Sequence, residues 1–321
     1  MHDDCVEFAP PARSTRPFFL EKKLNPITVI INGAAGCGHD DDMAANLRAL
    51  FRAQGMDPTV ILAKSGKEMI ASARAAVEQG VPVVAAGGGD GTMNAVGGVL
   101  AGTGVRFGVL PMGTLNHFAK DLGIPLELAD AVKNIATGVP KPVDVGEVNQ
   151  QVFLNNSSLG LYPDIVRDRE KQQSRLGRGK WPAALWATVT ALRRYPFLSV
   201  RMQADDTRLA RRTPFVFIGN NEYIMEGLAI GARSRLDAGT LSMYVAQRPG
   251  RLGLVRFALR ALVGGLKEER DFDVVLANEL TIETHRKHLH VAFDGEVEKM
   301  HTPLRYRIRP GALTVMVPPP V

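Results

Sequence analysis

Cysteine is nearly absent: Cys5 and Cys37 are the only two in 321 residues, and their separation and differing settings argue against a disulfide framework. A reducing compartment fits. No uncharged apolar run reaches the roughly 18 residues that a membrane-crossing helix requires. The first residues, with Asp3, Asp4 and Glu7, lack the basic start and apolar stretch of a secretory signal, so a cytoplasmic location is expected. Repeats and low-complexity tracts are missing too. Hydrophobic residues form 45% of the chain and charged residues 22%, which excludes a mostly disordered protein. The length exceeds what one compact core usually holds, and two packed domains with a cleft between them are expected. Lys and Arg outnumber Asp and Glu by 39 to 33, a net charge of +6, which suits an anionic partner without saying whether it is nucleotide, nucleic acid or lipid.

Residues 1–26 carry Pro10, Pro11, Pro17 and Pro26 among scattered charges and read as a flexible leader. From Ile27 the chain alternates short β-branched runs with helical patterns. ITVIIN is followed by Met43, Leu47, Leu50 and Phe51 on one helical face, then by TVILA, a second helix through Met69, Ile70, Ala73 and Val77, and VPVVAA. A helix from Met93 to Leu100, the strand RFGVL and a helix through Leu128, Val132 and Ile135 complete the rhythm of an open parallel sheet covered on both faces. The expected division lies near residue 145. Beyond it, segments such as QVFLNNSSLG, PFVFIGNN, HLHVAF and LTVMVP alternate with Gly, Pro and Asn punctuation, predicting a β-rich domain over 146–321 interrupted by two helical stretches.

The sequence AAGGGDGTMNAVGG leaves the strand VPVVAA and opens a helix, a position where glycine lets main-chain N–H groups approach an anion and the helix terminus favours negative charge. A tight turn alone would account for one or two glycines, less well for three followed by Asp-Gly-Thr. Two common phosphate motifs are missing. No lysine follows Gly33–Gly38 as a Walker loop demands, and neither glycine-rich turn has the third glycine of a dinucleotide fingerprint.

GGGDGTMNAV, then PMGTLNHFAKDLGIP, then FDGE near the C-terminus resemble, in that order, the catalytic domain of the diacylglycerol kinases, and the bacterial soluble lipid kinases most of all. Sphingosine, ceramide and NAD kinases belong to the same superfamily. The resemblance covers most of 27–317. It implies a phosphofructokinase-like three-layer α/β nucleotide domain over 27–145 followed by a C-terminal β-sandwich, with C-terminal strands able to return to the first domain and the active site between the two. It also implies ATP and Mg²⁺ as cofactors. Carried over by position, Gly88, Gly89, Asp90, Gly91, Thr92, Met93 and Asn94 would hold the ATP phosphates, Gly113, Thr114 and Asn116 would contact nucleotide, and Asn32 to Gly36 would form the first turn. That turn reads Asn-Gly-Ala-Ala-Gly where the family has Asn-Pro-x-Ser-Gly, and His117 replaces a common Asp. Both changes bear on nucleotide affinity rather than on the fold.

Phosphoryl transfer asks a protein to align two oxygens and neutralise moving charge. Asp90, Asp294 and Glu296 are the candidate acids, with Asp90 and Asp294 as metal ligands. Glu296 is the expected general base and Asp294 its helper or the true base, since two nearby carboxylates favour a proton acceptor. A solvated Asp-Gly hairpin turn is the plainer reading of FDGE. The family's second, structural Mg²⁺ site corresponds to Arg235–Thr240. There Ala238 replaces a carboxylate, so that site is expected to be weak, shifted to Asp237, or absent.

A lipid acceptor requires contact at the membrane surface. Leu252, Val255, Leu259, Leu262 and Leu266 form an apolar helical stripe beside Arg256, Arg260 and Lys267. Trp181, Trp186 and Tyr195 mix with Arg175, Arg178, Lys180, Arg193 and Arg194, a blend favoured at interfaces. Both helices could instead cap the sandwich, with Arg stems lying along its surface. Expected partners are thus a lipid and, in a homodimer, a second copy, but no nucleic acid. The alternatives are a kinase for a sphingoid base or an NAD-like soluble acceptor, and a lipid- or nucleotide-binding descendant without turnover.

Overall fold

The computed structural model describes residues 25–33, 40–160, 197–205, 207–224, 232–246 and 272–320. Gly36 and both basic amphipathic stretches lie outside them.

The first lobe runs β1 (Asn25–Asn32), α1 (Asp40–Ala53), β2 (Met56–Ala63), α2 (Gly66–Glu78), β3 (Val83–Gly88) and α3 (Asp90–Leu100). It continues with β4 (Arg106–Pro111), α4 (His117–Asp121), α5 (Leu128–Thr137) and β5 (Val139–Val148). β1 pairs in parallel with β2 and β3, and β3 with β4. Alternation along these strands divides their side chains between two cores. Ile30, Val84 and Ala86 pack with Met69 and Ala73 of α2 and Met93 and Val96 of α3, whereas Val29, Ile31, Val83 and Ala85 pack with Leu47 and Phe51 of α1 and Val132 and Ile135 of α5. Strands buried on both faces need apolar residues at every position, hence continuous runs rather than alternation in the sequence. Each large side chain so buried stabilises the fold by about 1.5–3 kcal/mol.

The second lobe comprises β6 (Gln151–Phe153), β7 (Asn156–Gly160), β8 (Leu198–Ala204), β9 (Thr207–Thr213), β10 (Phe215–Asn220) and β11 (Leu241–Ala246). β12 (Phe272–Ala277), β13 (Glu279–Thr284), β14 (His288–Phe293), β15 (Glu296–His301) and β16 (Leu304–Val317) follow. A six-stranded sheet, ordered β12-β11-β10-β7-β14-β15, packs on the far half of a ten-stranded sheet. The strict alternation of β8, with Leu198, Val200, Met202 and Ala204 buried and Ser199, Arg201 and Gln203 exposed, is what a sandwich strand with one wet face requires.

The larger sheet is ordered β2-β1-β3-β4-β16-β13-β8-β9, and β5 also pairs with β16. β16 therefore belongs to both lobes. Its first half pairs with β13, its last residues run parallel to β4, and a register shift between Arg309 and Leu313 joins the two. Gly311, at φ 59°, provides the left-handed residue in this shift, and its N–H donates to the buried carboxylate of Asp144 at 2.8 Å. The division expected near residue 145 falls inside β5.

Candidate functional site

The site begins where β3 and β4 end. α3 follows β3 directly, with Gly89 at its N-cap. A Cβ on Gly113, in the turn after β4, would lie 2.5 Å from Gly89 Cα, so the two turns cross main chain on main chain and tolerate no side chain there. The N–H groups of Thr92 and Met93 donate to Gly89 O at 3.0 and 3.1 Å. This narrows the expected grip over 88–92: within the first turn of α3, Asp90 and Gly91 carry the N–H groups for which a helix offers no carbonyl.

Asp90 does more than line this turn. Its Oδ1 and Oδ2 accept from the N–H groups of Phe118 (3.1 Å) and His117 (3.2 Å), capping the neighbouring helix α4. Asn116, at φ 50°, is buried and clamps its own loop: Oδ1 accepts from Gly113 N and Nδ2 donates to Gly113 O, both at 2.9 Å. Asn116 thus shapes the turn and leaves the exposed Thr114 as its outward polar group. Asn32 Nδ2 donates to Thr92 Oγ1 at 3.3 Å, fixing the end of β1 to α3.

The opposite wall is the β14–β15 hairpin. Asp294 (φ 47°) and Gly295 (φ 90°) are the two central residues of a two-residue connection, the left-handed pair that Asp-Gly favours. The turn projects Glu296 over α3. Glu296 is exposed, and its Oε1 lies 3.8 Å from where a Cβ on Gly91 would stand. Asp294 goes the other way. Only 8% exposed, it accepts from the N–H groups of Leu154 (2.6 Å), Asn155 (2.9 Å) and Asn156 (3.0 Å). The Asn94 amide, oriented as its neighbours require, adds a bond to Asp294 Oδ2 at 3.1 Å and one to Val152 O at 3.2 Å. Burial pushes the Asp294 carboxyl up to about 6, against the pull of the three main-chain N–H groups and Arg233. Asp294, expected as a metal ligand and as the helper of Glu296 or the true base, does not face the cleft. Asp294 is enclosed and holds the 154–156 loop, which leaves no open oxygen for a metal ion.

Asp237, the fallback metal ligand, is paired with Arg235 at 2.8 Å, which holds its carboxyl below the usual range. Beside it Asp144 Oδ2 accepts from Gly239 N at 2.7 Å, while Ala238 N donates to Asn221 Oδ1. Among the described residues, no group of three or more His, Cys, Asp and Glu is arranged to hold a metal.

Arg233 had no motif to announce it, and Asp121, though inside PMGTLNHFAKDLGIP, was not singled out. The Arg233 side chain is 0% exposed and that of Asp121 7%, with Nε 2.7 Å from Asp121 Oδ2 at the end of α4. Its other nitrogens donate to Leu154 O (2.7 Å), Asn220 O (3.1 Å) and Asn155 Oδ1 (2.7 Å), and the guanidinium lies 5.4 Å from the Tyr223 ring centroid. A continuous polar circuit results: Asp90 caps α4, Asp121 ends it, Arg233 bridges to 154–155, and that loop holds Asp294 beside Glu296.

Known proteins resemble the chain over both lobes. Residues 26–148 match the diacylglycerol kinase catalytic domain, and residues 164–317 match the YegS C-terminal NAD kinase β-sandwich-like domain. A Pseudomonas aeruginosa protein assigned to the YegS-like lipid kinases is 31% identical over 249 residues, 76% of this chain and 79% of the relative. A diacylglycerol kinase of Mycobacterium tuberculosis is 26% identical over 303 residues, covering 92% and 96%. A crystal structure assigned to the diacylglycerol kinases, from Bacillus anthracis, superposes with a TM-score of 0.73 at 26% identity, covering 93% of this chain and 99% of that one.

Proposed function

The chain belongs to the diacylglycerol kinase family, and from that premise we propose that it transfers the γ-phosphate of ATP to the hydroxyl of a membrane lipid such as diacylglycerol. The observation that carries this is the placement of the Glu296 carboxylate over Gly91, at the helix terminus best suited to phosphate. In this reading the main-chain N–H groups of Asp90 and Gly91 bind the triphosphate, Thr114 orients it, and Glu296 accepts the proton of the attacking hydroxyl. Mg²⁺ neutralises phosphate charge when bound, and it needs only one or two carboxylates besides phosphate and water. Asp90 suits that role, since each oxygen keeps a second lone pair beside its main-chain bond. Asp294 acts through position, fixing the hairpin from which Glu296 projects.

The acceptor resides in a bilayer, so the proposal includes peripheral membrane contact by a cytoplasmic protein through the basic amphipathic stretches around Trp181 and Leu252. No helix among the described residues is long and apolar enough to cross a membrane. Flotation with acidic and neutral vesicles tests the contact, and equal recovery from both discards it. Incubation with radiolabelled ATP and a panel of diacylglycerol, sphingoid base and NAD tests the reaction. Label is expected in a lipid and lost with Glu296→Gln; label in NAD alone would replace the lipid reading.

A further inference from the structure

We propose that Arg233 is a positioning residue for the transfer: a cation carried by the chain itself, it ties the two lobes together at the active site in place of a bound divalent ion. The catalytic half of this rests on the kinase reading above. Asp121 ends α4 in the first lobe, whereas Leu154, Asn155 and Asn220 belong to the second. Arg233 reaches all four. Around its guanidinium stand one carboxylate oxygen (Asp121), two main-chain carbonyls (Leu154 and Asn220) and one amide oxygen (Asn155), none farther than 3.1 Å. Carboxylate, carbonyl and amide oxygens are also the donor set of a hard divalent cation. The Tyr223 ring closes one side of the guanidinium.

The segment to which the resemblance assigns a structural Mg²⁺, Arg235–Thr240, does not fit one. Ala238 brings a methyl, Asp237 is held by Arg235, and the buried Asp144 gives its two oxygens to the N–H groups of Gly239 and Gly311. The charge that joins the lobes stands two residues earlier, on the chain. Leu154 shows how it bears on the reaction. Its side chain packs in the core of the first lobe, its carbonyl accepts from Arg233 (2.7 Å) and from Asn220 Nδ2 (2.8 Å), and its N–H donates to Asp294 (2.6 Å). Asp294 opens the two-residue turn that ends at Glu296, so the placement of Glu296 follows that of the 154–156 loop. On the other side Asp121 ends the helix that Asp90 caps, and Asp90 opens the phosphate turn. One guanidinium thus fixes the span between the proposed proton acceptor and the proposed phosphate grip. A misplacement of about 1 Å in such an alignment costs up to about a hundredfold in turnover.

The test melts wild type, Arg233→Ala and Asp121→Asn without nucleotide, in EDTA and in millimolar Mg²⁺, then follows transfer from ATP to diacylglycerol in mixed micelles. Wild type is expected to melt within about 1 °C in the two solutions, because its junction needs no ion. Arg233→Ala should lose about tenfold to a hundredfold in kcat and keep the ATP KM within about threefold. Millimolar guanidinium chloride should raise the kcat of this variant about threefold or more and leave wild type unchanged, whereas neutral urea should do neither. A residue that only props the fold would not tell the two additives apart. Asp121→Asn, which keeps an oxygen toward Nε but removes its charge, should lower kcat about threefold or more. Wild-type melting that falls by about 3 °C or more in EDTA would place an ion at the junction and overturn the proposal. So would a folded Arg233→Ala that keeps kcat within about twofold of wild type, or one that guanidinium restores no better than urea. Should Arg233→Ala fail to fold, Asp121→Asn decides, and an unchanged kcat counts against Arg233. Full turnover in both variants beside an inactive Glu296→Gln would discard the positioning role and leave the kinase standing. Transfer to no acceptor at all would remove the kinase reading and the positioning role with it, leaving the chelator melts to judge the junction.

Discussion

The two walls of the cleft are built on opposite principles. The wall from the first lobe works through missing side chains, since Gly89 and Gly113 let two main chains touch. The wall from the second lobe works through side chains, and two carboxylates two residues apart have opposite fates: Glu296 exposed, Asp294 buried. Backbone groups are fixed by the fold and cannot be tuned, so they suit the constant part of the reaction, a triphosphate. In the proposed reaction the Glu296 side chain carries the proton.

The sharpest way to break that comparison is Glu296→Gln, which should lower kcat by about 10²–10⁴-fold with unchanged melting, the range a general base contributes. A drop below about threefold would deny Glu296 its role. Arg233→Met comes next. It leaves Asp121 buried without its partner and should destabilise the protein by about 3–5 kcal/mol in urea unfolding, whereas a loss under about 1 kcal/mol would show the circuit to be incidental.

Asp294→Asn tests the enclosed carboxylate. An amide sets its NH₂ against at least one main-chain N–H, costing about 1–3 kcal/mol. The sign of the pH effect follows from the raised pKa. The folded state keeps the Asp294 proton up to about 6, while the unfolded chain releases it near the ordinary value of 3.8, so wild type loses stability as pH rises between them and levels off above. The gap to Asp294→Asn should therefore narrow between about pH 4 and 6 in thermal melts, by up to about 3 kcal/mol. A gap independent of pH would mean that Asp294 is ionised throughout. The smallest effect on stability is expected of Asp90→Ala, about 1 kcal/mol from the lost cap on α4. An activity loss much larger than that small change in melting would place Asp90 in direct contact with phosphate or metal.

Much of the first lobe was legible in the sequence because buried parallel strands write themselves as unbroken apolar runs, and Ile27–Ile31 and Val83–Ala86 do so. The glycine turn and FDGE were legible as motifs, and so was the Asp-Gly hairpin. The inward turn of Asp294 was not: its side chain is claimed by N–H groups of residues 154–156, about 140 positions away in the chain. Arg233 was hidden for the same reason, since its partners on α4, β10 and the 154–155 loop come together only in three dimensions. The α4 helix, five residues long, is too short to show a period. β16 was read only in its last stretch, because Pro310 and Gly311 punctuate it as a loop would; they mark a bulge instead.

That last strand governs when the protein can mature. Between β4 and β5, the nucleotide lobe leaves a slot that only residues 313–317 fill. During synthesis β4 and β5 emerge well before residues 313–317, so their facing edges stay unpaired until β16 follows. The sheet that both lobes share is therefore completed last, whereas the six-stranded sheet, which lacks β16, does not wait for it.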